Sequence, residues 1–252
     1  MLKWHSILVV ISLLSLQACQ QSPDAQDDAS VKKKHRSDAA GYNVQLGLGY
    51  LKQGNIPRSK RKLLLALDQA PSSPEPHAAM AYFMEKTGDV ERASSYYKKA
   101  MEFAPGRGTQ LNNYGAFLCR QGDYVQAEQY FLKAVNDLQY ENTAGAYENA
   151  GLCAMAIPDD TKAEHYFLKA VEQDPSSVQS LYELVKLEIK HKHPSEALAH
   201  LQKYPETVLR SQELLVLAVQ AAHQSDQLEI EAGYRRSLDS FGVKHDDNSN
   251  NR

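Results

Sequence analysis

The side chains that could do chemistry are few and poorly placed for it. His191 and His193 stand two apart in KHKHP at a predicted helix end, so they point to opposite sides. No cysteine or second histidine pair joins them at metal-ligand spacing, and solvent-exposed loop histidines are the expectation. Asp27–Asp28 and Asp159–Asp160 are adjacent acids in turns; adjacency does not place two carboxylates across a substrate. No glycine-rich phosphate loop, GxSxG elbow or HExxH zinc helix occurs. The expectation is a chain that is not an enzyme, with no catalytic residue, no metal and no cofactor. Cys19 alone sits where a covalent modification has a rationale.

From Ile7 to Leu16 the chain reads ILVVISLLSL, preceded by the positive Lys3 and followed by small residues. A membrane-spanning helix needs about 20 apolar residues, and this run is half that, so residues 1–18 read as a secretory signal. Leu16-Gln17-Ala18-Cys19 is similar to the lipobox of bacterial lipoproteins. That resemblance implies cleavage before Cys19 and acylation of it, against the alternative of an ordinary secretory signal with a stray cysteine at its boundary. Each buried CH2 contributes about 0.8 kcal/mol, so two or three acyl chains would be a lasting anchor. Gln20 stands where an Asp would favour inner-membrane retention, which by the same resemblance points to the outer membrane.

Residues 20–39 carry a block of acid and then a block of base without apolar periodicity. They read as a flexible tether with an r.m.s. span of about 25 Å; residues 242–252 read as a disordered tail. The net charge of −3 gives no reason to expect a nucleic-acid partner. One locally basic stretch, Arg58–Lys62 (RSKRK), reads as a solvated helix face, with a phosphate-binding patch as the second reading. Cys119 and Cys153 fall on different predicted helices. An oxidising compartment would allow them to pair, but spacing does not decide a bridge, and two buried thiols are the expectation.

Between 40 and 241 the chain repeats itself. Gly47, Ala81, Gly115 and Gly151 lead four units spaced by 34, 34 and 36 residues. Each is followed by a small residue (Ser59, Ala93, Ala127, Ala163), a large one (Leu63, Tyr97, Phe131, Phe167) and an alanine (Ala66, Ala100, Ala134, Ala170). Gly54, Gly88 and Gly122 suit the left-handed position that ends a helix, and Pro71, Pro105 and Pro175 close three units. Pro158 replaces the turn glycine of the fourth, which predicts an early end to its first helix, with Asp160 or Thr161 capping the next. Weaker units start near 178 and 211. This pattern resembles the tetratricopeptide repeat, two antiparallel helices per 34 residues. The fold class it implies is all-α, a right-handed superhelical array of about six helix pairs starting near 40, 74, 108, 144, 178 and 211.

Such an array offers a concave surface lined by the first helix of each pair. In the first, Leu46, Gly47 and Tyr50 are assigned to the second helix, which leaves Val44, Leu48 and Leu51 as another apolar face. An exposed apolar stripe of this kind marks a binding site, unless the tether folds back over it or a second copy covers it. Tyr82, Asn112, Asn113, Ala116, Asn149 and Leu152 extend the expected groove. Val44 and Leu48 occupy places where the cytosolic chaperone cofactors of this repeat class carry a carboxylate-gripping Lys and Asn ladder, so an apolar segment fits better than a charged tail.

With QLGLGYLKQGN (Gln45–Asn55) in the first unit and LNNYGAFLCRQGDY (Leu111–Tyr124) in the third, behind a lipobox and polar tether, nearly the entire mature chain resembles the type IV pilus biogenesis lipoproteins of the PilF/PilW pilotin family, the last two units less clearly. The resemblance implies an outer-membrane lipoprotein on the periplasmic face, delivered by the lipoprotein sorting machinery, that binds the pilus secretin subunit and promotes its localisation and multimerisation. The alternative is a general scaffold lipoprotein for envelope or cell-wall assembly complexes.

Overall fold

A computed structural model describes residues 23–249; the expected signal sequence and Cys19 lie outside the described residues. Five antiparallel helix pairs follow one another: α1 (Pro23–Lys52) with α2 (Ile56–Gln69), α3 (Pro74–Lys86) with α4 (Val90–Phe103), α5 (Gly108–Arg120) with α6 (Tyr124–Val135), α7 (Thr143–Ala156) with α8 (Asp160–Gln173), and α9 (Val178–Lys190) with α10 (Pro194–Lys203). A short α11 (Pro205–Val208) leads to a sixth pair, α12 (Gln212–Gln224) with α13 (Leu228–Ser249).

The small residues permit close approach within each pair. A Cβ on Gly47 would lie 2.6 Å from Leu63 Cδ2, and one on Gly151 2.8 Å from Phe167 Cε1. Leu63, Phe131 and Phe167 are fully buried as a result, and the first four pairs share one continuous core. The last two build a second around Leu181, Val185, Leu201, Leu214 and Leu215.

The turns repeat as well. Gly54, Gly88 and Gly122 have φ of 73°, 87° and 85°, where a Cβ is disfavoured. The next residue caps the second helix: Asn55, Asp89 and Asp123 accept from the backbone N–H groups of Arg58, Arg92 and Gln126. In the fourth pair α7 ends at Ala156, in register with the others rather than early, and the cap is Asp159, not Asp160 or Thr161. Pro158 acts on its predecessor alone, holding Ile157 extended at φ −100°, ψ 127°.

Three further expectations are corrected. Residues 23–39 continue α1 as helix instead of forming a flexible tether. Helix α13 likewise runs to Ser249, through most of the expected tail; extending a formed helix adds one bond per residue fixed. Cys119 and Cys153 are joined in a disulfide with Cα atoms 5.8 Å apart, because α5 and α7 run side by side as neighbouring first helices.

Candidate partner-binding cleft

The first helices of the first four pairs enclose a cleft of about 990 Å³. At one end α1 contributes Val44, Leu48 and Leu51, facing Ala78, Ala79 and Tyr82 of α3. The lining then becomes amide-rich: Asn112, Asn113 and Ala116 come from α5 and Asn149 from α7. Val44, Leu48, Leu51 and Ala116 are half-buried, packed against the core with one side open to the cleft. Helix periodicity explains the arrangement, since residues three and four apart share a face.

Eight of the nine expected groove residues therefore meet in one place. Leu152 does not: it is 41% exposed and lies outside the cleft, which α7 reaches only through Asn149. Leu46 is also displaced from its expected packing against α2; it stands 47% exposed on the flank of α1.

Several polar groups of the cleft are mutually fixed, whereas one buried group is not. Asn149 donates from Nδ2 to Asn112 Oδ1 at 3.0 Å. Arg120 and Tyr97 both bind Glu85, through Nη2 at 2.9 Å and the hydroxyl at 3.1 Å. Burial, reinforced by the Glu85 charge, pushes the Tyr97 hydroxyl well above its ordinary range, so it remains a neutral donor. Lys86 lies 5.3 Å above the Tyr82 ring. The exception is Gln110, buried in the lining with an Oε1 that has no hydrogen-bond partner. A buried acceptor without a partner is costly. Nothing in the repeat pattern singles out Gln110, which precedes the periodic positions.

One histidine expectation changes, and His193 is exposed as expected. His191 is no solvated loop residue: its Nε2 lies 2.9 Å from Asp160 and its Nδ1 2.7 Å from Glu164. The bond to Asp160, seconded by Glu164, holds its pKa above the ordinary histidine value. His193 pairs loosely with Glu196 at 3.7 Å. Among the described residues, no helix is long and apolar enough to cross a membrane.

Models of the tetratricopeptide repeat match residues 75–107 and 119–178. The type IV pilus assembly protein PilF of Pseudomonas aeruginosa is 29% identical over 234 residues, 93% of this chain and 92% of that protein. The chain is a tetratricopeptide-repeat protein homologous to PilF. A solved structure of Pseudomonas aeruginosa PilF superposes with a TM-score of 0.64 at 27% identity, covering 83% of this chain and 99% of that one. The crystal structure of PilW, described as a widely conserved type IV pilus biogenesis factor, shares the fold with a TM-score of 0.60 at 21% identity, over 80% of this chain and 92% of that one. As a tetratricopeptide-repeat protein the chain departs from its own pattern at the far end. There the Gly–Asp turn is replaced by Lys192–His193 and Asp226–Gln227, with Lys192 and Asp226 still at φ of 65° and 56°.

Proposed function

We propose that this chain is a type IV pilus biogenesis protein acting as a pilotin. Anchored through lipid on Cys19 to the periplasmic face of the outer membrane, it holds an apolar segment of the pilus secretin subunit. The lipoprotein sorting machinery carries the anchored chain, and with it the bound subunit, to the membrane where the secretin ring assembles. Tethering raises the effective concentration of subunits there, and occupancy of the cleft masks an aggregation-prone segment until the ring forms.

The observation that carries this reading is the graded lining of the cleft, beside the homology to PilF. Val44, Leu48 and Leu51 offer an apolar seat, and the amides of Asn112, Asn113 and Asn149 beyond them offer backbone partners. That combination suits an apolar segment with exposed backbone groups. The chain then works by binding, with no reacting group of its own.

Calorimetric titration of purified secretin subunit onto the chain tests it. Saturable binding, weakened at least about tenfold by Val44→Asp with Leu48→Asp, is expected, since each change puts a charge in a desolvated seat. Unaltered affinity in a folded double variant would remove the cleft from the account. No secretin binding at all would favour the envelope scaffold.

A further inference from the structure

The outer flank of the first helix pair combines two properties the cleft does not need. One is charge. Residues 31–69 hold nine Lys and Arg against two Asp, while the rest of the chain holds 19 against 29. The other is uncovered apolar surface: Tyr42 is 69% exposed, Leu46 47% and Leu65 41%.

The register of the pair places these residues together. Gly47 abuts Leu63, Asn43 Nδ2 donates to Gln69 Oε1 at 2.9 Å, and the Arg58 guanidinium lies 5.6 Å from the Tyr50 ring centre. Leu46 falls between Asn43 and Tyr50 on that seam, opposite Lys62 and Leu65. On α2, Ile56 and Lys60 turn toward Phe83 and Met84 of the second pair. Arg58, Lys62 and Leu65 lie two residues from Ile56, Lys60 and Leu67, about 200° round the helix, and so face away from it. End repeats of a solenoid ordinarily present a polar outer face; this one presents apolar side chains ringed by cations.

We infer that this flank lies on an anionic phospholipid surface, with Tyr42, Leu46 and Leu65 at the headgroup boundary and Arg58, Arg61 and Lys62 among the phosphates. Apolar burial and attraction to anionic lipid together are what hold an amphipathic face at an interface. A second copy would bring like charge against like, and an apolar protein partner would leave the excess of cations without purpose. The inference rests on the proposed anchor for one point only. Helix α1 starts four residues after Cys19, so a lipid there would hold the start of that helix within about 14 Å of the bilayer. The function of the anchored cleft is thereby deepened: the array would be held at a fixed attitude, its opening directed along the membrane.

The test uses residues 20–252, which contain every described residue and lack the acylated cysteine, so it does not depend on the anchor. Co-sedimentation is measured with vesicles of about three parts phosphatidylethanolamine to one of phosphatidylglycerol, and with phosphatidylcholine vesicles. Binding to the anionic vesicles alone, abolished by high salt, is expected. Arg58→Glu, Arg61→Glu and Lys62→Glu together should weaken it about 100-fold or more, whereas Lys98→Glu with Lys133→Glu on other pairs should not, and circular dichroism confirms that both variants fold. Absent binding, equal binding to both vesicles, or insensitivity to the triple change overturns the inference. So does a triple variant that loses secretin binding or self-association while vesicle binding stays intact. The anchor is judged separately, by whether Cys19→Ala releases the full chain from membranes in the cell.

Discussion

Cys119 on α5 is bonded to Cys153 on α7, clamping two neighbouring first helices beside the amide-lined end of the cleft. The bond closes a loop of 34 residues, for which the loss of unfolded-state entropy stabilises the fold by about 2–4 kcal/mol. Cys119→Ser with Cys153→Ser should lower the free energy of urea unfolding by that amount, and a reductant should do the same to the wild type. An unchanged midpoint would mean that the bridge does not constrain the unfolded chain.

Close approach at the small residues predicts a second loss. Gly151→Val puts a branched side chain where a Cβ alone would stand 2.8 Å from Phe167, a fully buried ring. Overpacking of this kind costs about 1–3 kcal/mol. Thermal unfolding should show it, while the same change at Gly41, which has nothing within 4 Å of its Cβ position, should not introduce a clash.

The far turns predict a gain. Lys192 holds a left-handed φ of 65° at the place where three earlier turns use glycine. Lys192→Gly should stabilise by about 0.5–1 kcal/mol, the cost of a Cβ in that region less the extra entropy of glycine in the unfolded chain. Asp226→Gly should act alike, and a loss of stability in either variant would show that the native side chain supplies more than its backbone costs.

His200 and Glu188 predict a pH dependence. Nδ1 of His200 lies 2.7 Å from a Glu188 oxygen, and Glu188 is buried. The interaction with Glu188 raises the His200 pKa despite opposing burial. A histidine that binds its proton more tightly when folded contributes stability that is complete below the unfolded value near 6.5. That contribution is lost as pH rises through the folded value. Melting temperature should therefore fall from about pH 6.5 upward, and His200→Gln should flatten part of the slope, the rest belonging to His191 with its Asp160 and Glu164 partners. A slope unchanged in His200→Gln would dismiss the pair as a contributor.

Most of the fold was legible because the first four pairs obey one rule at every level. Small residues mark close approach, glycine marks the turn in the first three, and an Asn or Asp caps the next helix. The last two pairs keep the backbone geometry but not the residues: His193 makes no side-chain cap, and a buried Glu231 stands 34 residues after Ala197 where earlier units have a small residue. Their signal was weak for that reason. The cleft could be read because groove positions follow from helical periodicity. Gln110 could not, since burial without a partner arises from how α5 sits against its neighbours. Two polar segments misled, 23–39 and 242–249, because an aperiodic polar sequence reads alike whether it extends a docked helix or leaves it.

The most direct test of the central claim is made in cells. In a strain lacking this gene, the wild type and the Val44→Asp, Leu48→Asp variant are expressed to equal levels, and heat-stable secretin multimers are assayed in outer-membrane fractions. The account predicts multimers with the wild type, and secretin that remains monomeric with the variant although the variant is folded and membrane-associated. Normal multimers with the variant, or in the strain with no copy of the gene, would contradict it.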